Sequence, residues 1–361
     1  MSATQRSADL RPGGAFDTFL AEQAAKDEFS GTVLLTHRGH TVLSRAFGMA
    51  DKRLSIRNRT DTLFAMASAS KLFTAVAVHQ LARAGAVQYH ERLGAYVGGL
   101  PSTIADVTVH QLLTHTSGVA DYRRTPGFDE LVGTWTTEAA VNDGTMALIR
   151  EAGQSFAPGT RFEYTSSGYE LLGALVAQVS RRSYYDFARE YIFRPAGMTS
   201  TDWYTRTQWS RDPRFAHPYA RQPSGERVDV VASTAFIGTA GGNAISNVRD
   251  LERFARAVTS GRLLGPAFTK TLLSGKHALR PWTDSRDNPP APASQGYGPL
   301  SLLLGGQWVF LHNGSAPGEG AYVEIYPRTG WVSVVLGNYD AQTAAVPVAA
   351  RARTLITAQR P

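Results

Sequence analysis

Residues 64–73 read Phe-Ala-Met-Ala-Ser-Ala-Ser-Lys-Leu-Phe, and within them Ser68 stands three positions before Lys71. An apolar-periodic run from Leu72 to Ala84 follows, which predicts a helix opening here. Residues i and i+3 share one helix face, so the serine hydroxyl and the lysine amine are neighbours. In a first turn, free backbone N–H groups and the helix dipole favour negative charge beside the serine. A serine that attacks a carbonyl and passes through an oxyanion uses all of this, and a desolvated lysine takes its proton. The competing reading is a plain helix start, with Ser68 or Ser70 as cap and Lys71 in solvent. Residues far along the chain decide between the two.

The first of these is Pro158-Gly159-Thr160-Arg161-Phe162-Glu163-Tyr164-Thr165-Ser166-Ser167-Gly168-Tyr169-Glu170-Leu171-Leu172-Gly173. A Pro-Gly turn leads into an extended run, and Tyr164 falls just ahead of a helix with apolar face Leu171, Leu172, Leu175, Val176 and Val179. The second is Trp308-Val309-Phe310-Leu311-His312-Asn313-Gly314-Ser315, a strand ending in a small, polar rim. Between the serine–lysine pair and these segments lies Gln111-Leu112-Leu113-Thr114-His115-Thr116-Ser117-Gly118.

Taken together, these segments resemble the serine β-lactamase-like superfamily on its class C side. That group embraces class C β-lactamases, D,D-peptidases, D-aminopeptidases and family VIII carboxylesterases. Its three elements stand here as Ser68-Ala69-Ser70-Lys71, Tyr164-Thr165-Ser166 and His312-Asn313-Gly314, in the family's order. The resemblance runs from about Phe29 to Asn338. It implies that Ser68 is the acylated nucleophile, that Lys71 holds or accepts its proton, and that Tyr164 is a second proton shuttle. It also implies that His312 lies across the cleft, and that the backbone N–H groups of Ser68 and Ser315 form the oxyanion hole. Ser166, Asn313 and Gly314 would flank the substrate. Bland alternatives are a packed Tyr164 with a satisfied hydroxyl and a strand-end His312.

Two departures bear on substrate. Ser166 replaces the family's asparagine, and a hydroxyl cannot offer the paired donor and acceptor of a carboxamide. His312 replaces a lysine, and histidine is not a permanent cation at neutral pH. Both changes argue against a dedicated β-lactamase or a carboxypeptidase. They favour small or uncharged acyl esters, with a D-amino-acid amidase or peptidase, an acyltransferase, a weak β-lactamase and a non-turning-over acyl sensor as the alternatives.

Other chemistries lack their residues. There is no G-x-S-x-G elbow, no H-E-x-x-H and no glycine-rich phosphate loop after a strand, and the nine histidines are scattered. His37 and His40 flank a hairpin turn, and His110 and His115 sit too near an apolar helix face (Val109, Leu112, Leu113) to suggest metal ligands. No metal and no cofactor is expected. The chain has no cysteine, which excludes disulfides and a thiol nucleophile. Net charge is +7, but five of the 37 basic residues are lysines and the 32 arginines are dispersed, so nucleic acid is not an expected partner. A small-molecule ester or amide is the expected partner, and oligomeric state is not legible. No segment reaches the roughly 18 apolar residues of a membrane span, and residues 1–14 lack an apolar signal core, so the default expectation is cytoplasmic.

With 361 residues, 43% of them hydrophobic and 19% charged, the chain can bury a large core. Strand patterns fall at 31–36 and 41–47, and again at 297–304, 307–311, 321–326 and 332–337; helix patterns fill the middle. The middle helices are expected at 108–114, 136–152, 167–181 and 183–191, with further helices at 15–26, 246–261 and 343–358. Residues 277–296, rich in Pro, Asp and Ser, read as an exposed loop, and 1–14 as a disordered lead-in. The aromatic residues Tyr122, Trp135, Trp203, Tyr204 and Trp282 either line an acyl pocket or simply pack. The predicted class is α+β: an antiparallel sheet of N- and C-terminal strands flanked by helices, with an inserted helical subdomain. The expected division is one β-lactamase/transpeptidase-like catalytic domain over 15–361, its α/β part at 15–62 and 236–361 and its helical part at 63–235.

Overall fold

Gly31–His37 and Trp331–Gly337 pair antiparallel, from Gly31 opposite Gly337 to His37 opposite Trp331, so the two ends of the chain meet in one sheet. The computed structural model describes residues 8–283 and 290–359. Its main sheet is built from β1 (Gly31–His37), β2 (His40–Phe47), β3 (Gly275–Trp282), β4 (Ala291–Gly296), β5 (Leu300–Leu304), β6 (Gln307–Ala316), β7 (Glu319–Tyr326) and β8 (Trp331–Gly337). The order is β2-β1-β8-β7-β6-β5-β4-β3, all antiparallel.

Strands β1, β7 and β8 are buried almost throughout, because helices cover both faces of the sheet. Alternation still assigns the faces. Val33 and Leu35 join one apolar layer with Leu20 and Val348, while Leu34, Val334 and Leu336 join the other with Leu72 and Phe254. The first layer is closed by α1 (Ala15–Ala25) and the C-terminal helix Ala345–Thr357. Beneath it, Arg353 pairs with Glu324, and Tyr326 donates to the same carboxylate at 2.6 Å.

The opposite face carries α2 (Lys71–Arg83), which is buried nearly all round and so lies between the sheet and the remaining helices. Those that shape the site are α3 (Val109–Leu113), α4 (Phe128–Thr134), α5 (Glu138–Ala152) and α6 (Ser167–Ser180). Thr108 and Gln111 form a capping box at α3, and Thr137 caps α5. Helix α7 (Val248–Thr259) starts at Asn247, whose side chain accepts two backbone N–H bonds.

Several boundaries differ from expectation. Residues 277–296 are not a loop: β3 and β4 occupy 275–282 and 291–296, and only 284–289 lie outside the described residues. Strand β3 is the sheet edge and is largely exposed, so it carries no apolar alternation to read. The expected disordered lead-in ends before Leu10, which is fully buried against the first layer; residues 1–7 lie outside the described residues. The helix expected over 183–191 is α-helical only at Tyr184–Ala188 and passes into a wider turn at Arg189–Phe193. Strand β6 runs on to Ala316, five residues past its expected end, so His312-Asn313-Gly314 lies within the strand. Among the described residues, no helix is long and apolar enough to cross a membrane.

Candidate active site

Ser68 sits in a tight 3-10 turn, Ala67–Ser70, that leads directly into α2. The turn is pinned from residues 243–244. Met66 N–H donates to the Ala244 carbonyl at 2.9 Å, and Asn243 N–H donates to the Ala67 carbonyl at 3.0 Å. Ser70 is an internal strut, not a cap: its hydroxyl donates to the Ala67 carbonyl and accepts from Ala244 N–H, both at 2.9 Å. Ala67 has φ +42°, a left-handed conformation costing a residue with a Cβ about 1–3 kcal/mol. That strain falls one residue before the serine.

Lys71 is fully buried. Its Nζ lies 3.1 Å from Ser68 Oγ, 3.2 Å from Ser166 Oγ and 2.5 Å from the Gly241 carbonyl oxygen. Nζ donates to all three, so the Gly241 carbonyl and the Ser166 hydroxyl fix the nitrogen beside the Ser68 hydroxyl. Ser166 is at the N-cap of α6 but makes no capping bond; its hydroxyl is turned to the lysine. Its N–H donates to Asp121 at 3.3 Å. Burial opposes the Asp121 charge, but Arg123 and this N–H outweigh it and hold the carboxyl below its usual range.

Tyr164 and His312 stand differently from expectation. The Tyr164 ring centroid is 5.1 Å from Lys71 Nζ, and no hydrogen bond joins its hydroxyl to Ser68 or Lys71. The ring lies on His115, centroids 4.5 Å apart, and His115 in turn stacks on Tyr169 at 5.1 Å. Burial, then the charges of Lys71 and His312, push the His115 imidazole well below its usual value. His312 Nδ1–H donates to the Asn313 carbonyl at 2.8 Å. Burial and the Lys71 charge push His312 down to about 4, so it is neutral at pH 7.

Ser68, Ser166 and Ser315 line one cleft together, joined by Ala67, Gly241, Gly242 and Asn243. Tyr164, His312, Asn313 and Gly314 are outside that lining. Gly314 instead permits a close crossing of two backbones, since a Cβ there would stand 2.0 Å from the Met66 carbonyl oxygen and 3.1 Å from Ala67 Cβ. Only glycine lets β6 lie across the turn that carries Ser68, which brings Ser315 to the same cleft. The cleft has a volume of about 140 Å3 and opens to solvent, with walls from Tyr122, Phe128, Val132, Trp135, Val141 and Ile237. Of the aromatic residues left open by the sequence, Tyr122 and Trp135 line it. Trp203 packs on Phe73 and Phe193, and Tyr204 packs on Phe215.

Sequence reasoning missed Glu170, Thr239 and the Gly241-Gly242-Asn243 segment. Glu170 is buried in the cleft wall, accepts from the hydroxyls of Tyr122 and Thr239, and is raised above its usual value by burial. Its place four residues after Ser166 puts it on the same face of α6 and was the available signal. Paired glycines before a capped helix marked the 241–243 segment as a close backbone approach. Among the described residues, no group of three or more His, Asp or Glu is placed to hold a metal ion.

A family model described as Beta-lactamase matches residues 16–358. Penicillin-binding protein 4* of Bacillus subtilis is 30% identical over 261 residues, covering 69% of this chain and 56% of that protein. The chain thus spans little more than half the length of such curated relatives. Among solved structures, a penicillin binding protein from Bacillus halodurans superposes with a TM-score of 0.81 at 27% identity, over 93% of this chain and 98% of that one. D-amino acid amidase from Ochrobactrum anthropi SV3, complexed with D-phenylalanine, gives 0.78 at 22% identity, over 96% and 99%; at that identity the likeness is one of fold.

Proposed function

The chain belongs to the Beta-lactamase family, and from that premise we propose a serine hydrolase that forms an acyl-enzyme at Ser68 and acts on esters of small, uncharged acyl groups. The observation that carries it is Lys71 Nζ at 3.1 Å from Ser68 Oγ, held there by the Ser166 hydroxyl and the Gly241 carbonyl. In the reaction, the Lys71 lone pair takes the Ser68 proton as Oγ bonds to the acyl carbon. The amides of Ser68 and Ser315 hold the oxyanion. Its collapse breaks the ester bond, and the alkoxide takes a proton from the lysine side, where Tyr164 stands. Water then attacks the acyl-enzyme and gives its proton to Lys71; the acyl carbon–Oγ bond breaks, Oγ takes that proton from Lys71, and the acid leaves with Ser68 restored.

Three features favour uncharged esters. His312 is neutral, so no fixed cation on β6 meets a substrate carboxylate. Arg123 at the cleft is paired with Asp121 at 3.4 Å. Amide cleavage requires protonation of a poor leaving nitrogen, and the Tyr164 hydroxyl is not hydrogen-bonded to Lys71 to relay that proton.

The test is hydrolysis of p-nitrophenyl butyrate by wild type and Ser68→Ala, with intact mass followed in the same samples. The expected result is turnover and an acyl adduct on wild type, and neither on the variant. Full activity in Ser68→Ala refutes the mechanism. Faster turnover of D-alanine p-nitroanilide or a cephalosporin than of the ester replaces the substrate class.

A further inference from the structure

One wall of the acyl cleft carries a carboxyl group, Glu170, and a second pocket shares that wall. Met146, Ala174, Ala177 and Ala240 give the second pocket its apolar part and Asn142, Asp143, Gln178 and Ser183 its polar part, with Glu170 and Thr145 also in its lining. Glu170 and Thr145 also line the cleft. Residues 239–241 complete the partition: Thr239 and Gly241 face the cleft, and Ala240 faces the second pocket.

Glu170 is fixed in this wall from three segments of chain. Tyr122 Oη donates to its Oε1 at 3.1 Å and Thr239 Oγ1 at 2.5 Å, and the Gly241 backbone adds a further bond. Gly241 lies so close that a Cβ there would come within 2.3 Å of the same oxygen. The carboxyl therefore cannot swing aside without leaving the Tyr122 and Thr239 hydroxyls, both on buried or half-buried residues, without an acceptor. An apolar chain that reaches this wall meets a polar group it can neither displace nor solvate. Phe128, Val132, Trp135, Val141 and Ile237 give the cleft apolar wall area that suits an aliphatic or aromatic acyl group of limited length.

We propose that Glu170 is the specificity-determining end wall of the acyl cleft: it closes the cleft against the second pocket and restricts the acyl group to short chains. The proposal rests on the acyl-enzyme reading above. Glu170 contacts the acyl end of the substrate and takes no part in proton transfer to Ser68. Replacing it by alanine joins the two spaces and opens a path lined by Met146, Ala174 and Ala177.

The experiment is the ratio of kcat/KM for p-nitrophenyl octanoate to that for the butyrate, in wild type, Glu170→Gln and Glu170→Ala, with Tm measured for each. Wild type is expected to favour butyrate by about tenfold or more, the scale of a few misfitted methylenes. Glu170→Gln keeps an oxygen to accept from Tyr122 and Thr239, so its ratio stays within about threefold of wild type. Glu170→Ala raises the ratio by about tenfold, through a lower KM for octanoate, which loosened packing alone does not produce. An unchanged ratio in a folded Glu170→Ala overturns the proposal, and so does a Glu170→Gln ratio that moves as far as that of alanine. Should Glu170→Ala not fold, Thr145→Ala opens the same wall from α5 and must raise the ratio in the same direction. Absence of any Ser68 adduct on wild type refutes the acyl-enzyme reading itself; an adduct with an unmoved ratio refutes only the role of Glu170.

Discussion

Gly314→Ala tests whether β6 sets the oxyanion geometry. The added Cβ would sit 2.0 Å from the Met66 carbonyl oxygen. Restoring even a tight 3.0 Å contact demands about 1 Å of movement, and the obstacle is backbone, not a flexible side chain. Met66 is fully buried and its carbonyl accepts from Ala69 N–H at 3.0 Å, so the turn itself resists displacement. The strand therefore moves, and Ser315, next in sequence, moves away from Ser68. Losing one oxyanion donor costs about 2.7–4 kcal/mol in the transition state, or roughly 10²–10³ in rate. A misplacement of about 1 Å gives a similar figure. Overpacking costs about 1–3 kcal/mol in stability, which lowers Tm without unfolding the protein. The assay is kcat and KM on p-nitrophenyl butyrate, the rate of Ser68 acylation by mass, and Tm. The expected result is a fall of about 10² or more in kcat/KM, mostly in kcat, with the fold retained. Gly98→Ala is the control, since a Cβ there has open space around it. Activity within about threefold of wild type in Gly314→Ala would show that β6 does not hold the Ser315 amide at the reacting carbonyl.

Three predictions concern buried charge. Glu319 is pushed up to about 8 by burial, against a single stabilising hydrogen bond from Asn243. The folded protein therefore keeps a proton that the unfolded chain releases above about 4.5, and stability falls as pH rises from about 4.5 to 8. Glu319→Gln removes that slope: its advantage in urea unfolding should grow from pH 5 to pH 8 by a few kcal/mol, and a constant difference would count against it. His79 and His312 are both pushed down to about 4 by burial, so the unfolded chain binds protons below about 6.5 that the folded one refuses. Stability should fall as pH drops from 6.5 to 4, by at most about 1.4 kcal/mol per unit for each histidine. His79→Leu should flatten that slope by one histidine's share, and an unaltered slope refutes the assignment. Arg353→Met should cost about 3–5 kcal/mol by stranding the Glu324 carboxylate, which is wholly buried, with part of the loss recovered in the double variant Arg353→Met/Glu324→Met. A single variant as stable as wild type would mean that Glu324 finds another partner or takes up a proton.

The spacing that was legible in the sequence is the spacing that one element fixes by itself. Ser68 and Lys71 are three residues apart on one turn, so their 3.1 Å approach follows from local geometry. Strand patterns at 31–36 and 332–337 were legible as strands, while the division of their side chains between the two apolar layers is seen only in the fold, where both faces are buried. What was not legible depends on residues with no pattern of their own. Leu10 is a lone apolar anchor in a Pro/Gly-rich stretch, and β3 is an exposed edge whose polar sequence reads like its neighbouring turn.

The site divides along the same line. Motif spacing put Tyr164 two residues before Ser166, and both reach Lys71, but spacing carries no information on which atom of the tyrosine does so. That is settled by His115, about fifty residues away in sequence, which stacks under the ring. Likewise, the partner that orients Lys71 is a backbone carbonyl at Gly241, and a carbonyl leaves no trace in side-chain identity. The trace it leaves is negative. Gly241 and Gly242 lack side chains where Glu170 and the Ala67–Ser68 peptide press against them, at 2.3 Å and 3.4 Å from a hypothetical Cβ. Glycine pairs that precede a capped helix, in a chain already carrying a serine and lysine one turn apart, therefore mark the segment that completes the lysine's hydrogen bonding. In this chain that segment also carries Thr239, the hydroxyl that ties Glu170 into the cleft wall. The carbonyl that aims the base and the hydroxyl that ties Glu170 in place thus share one loop, so substitutions at 239–241 should alter acylation rate and acyl-length preference together.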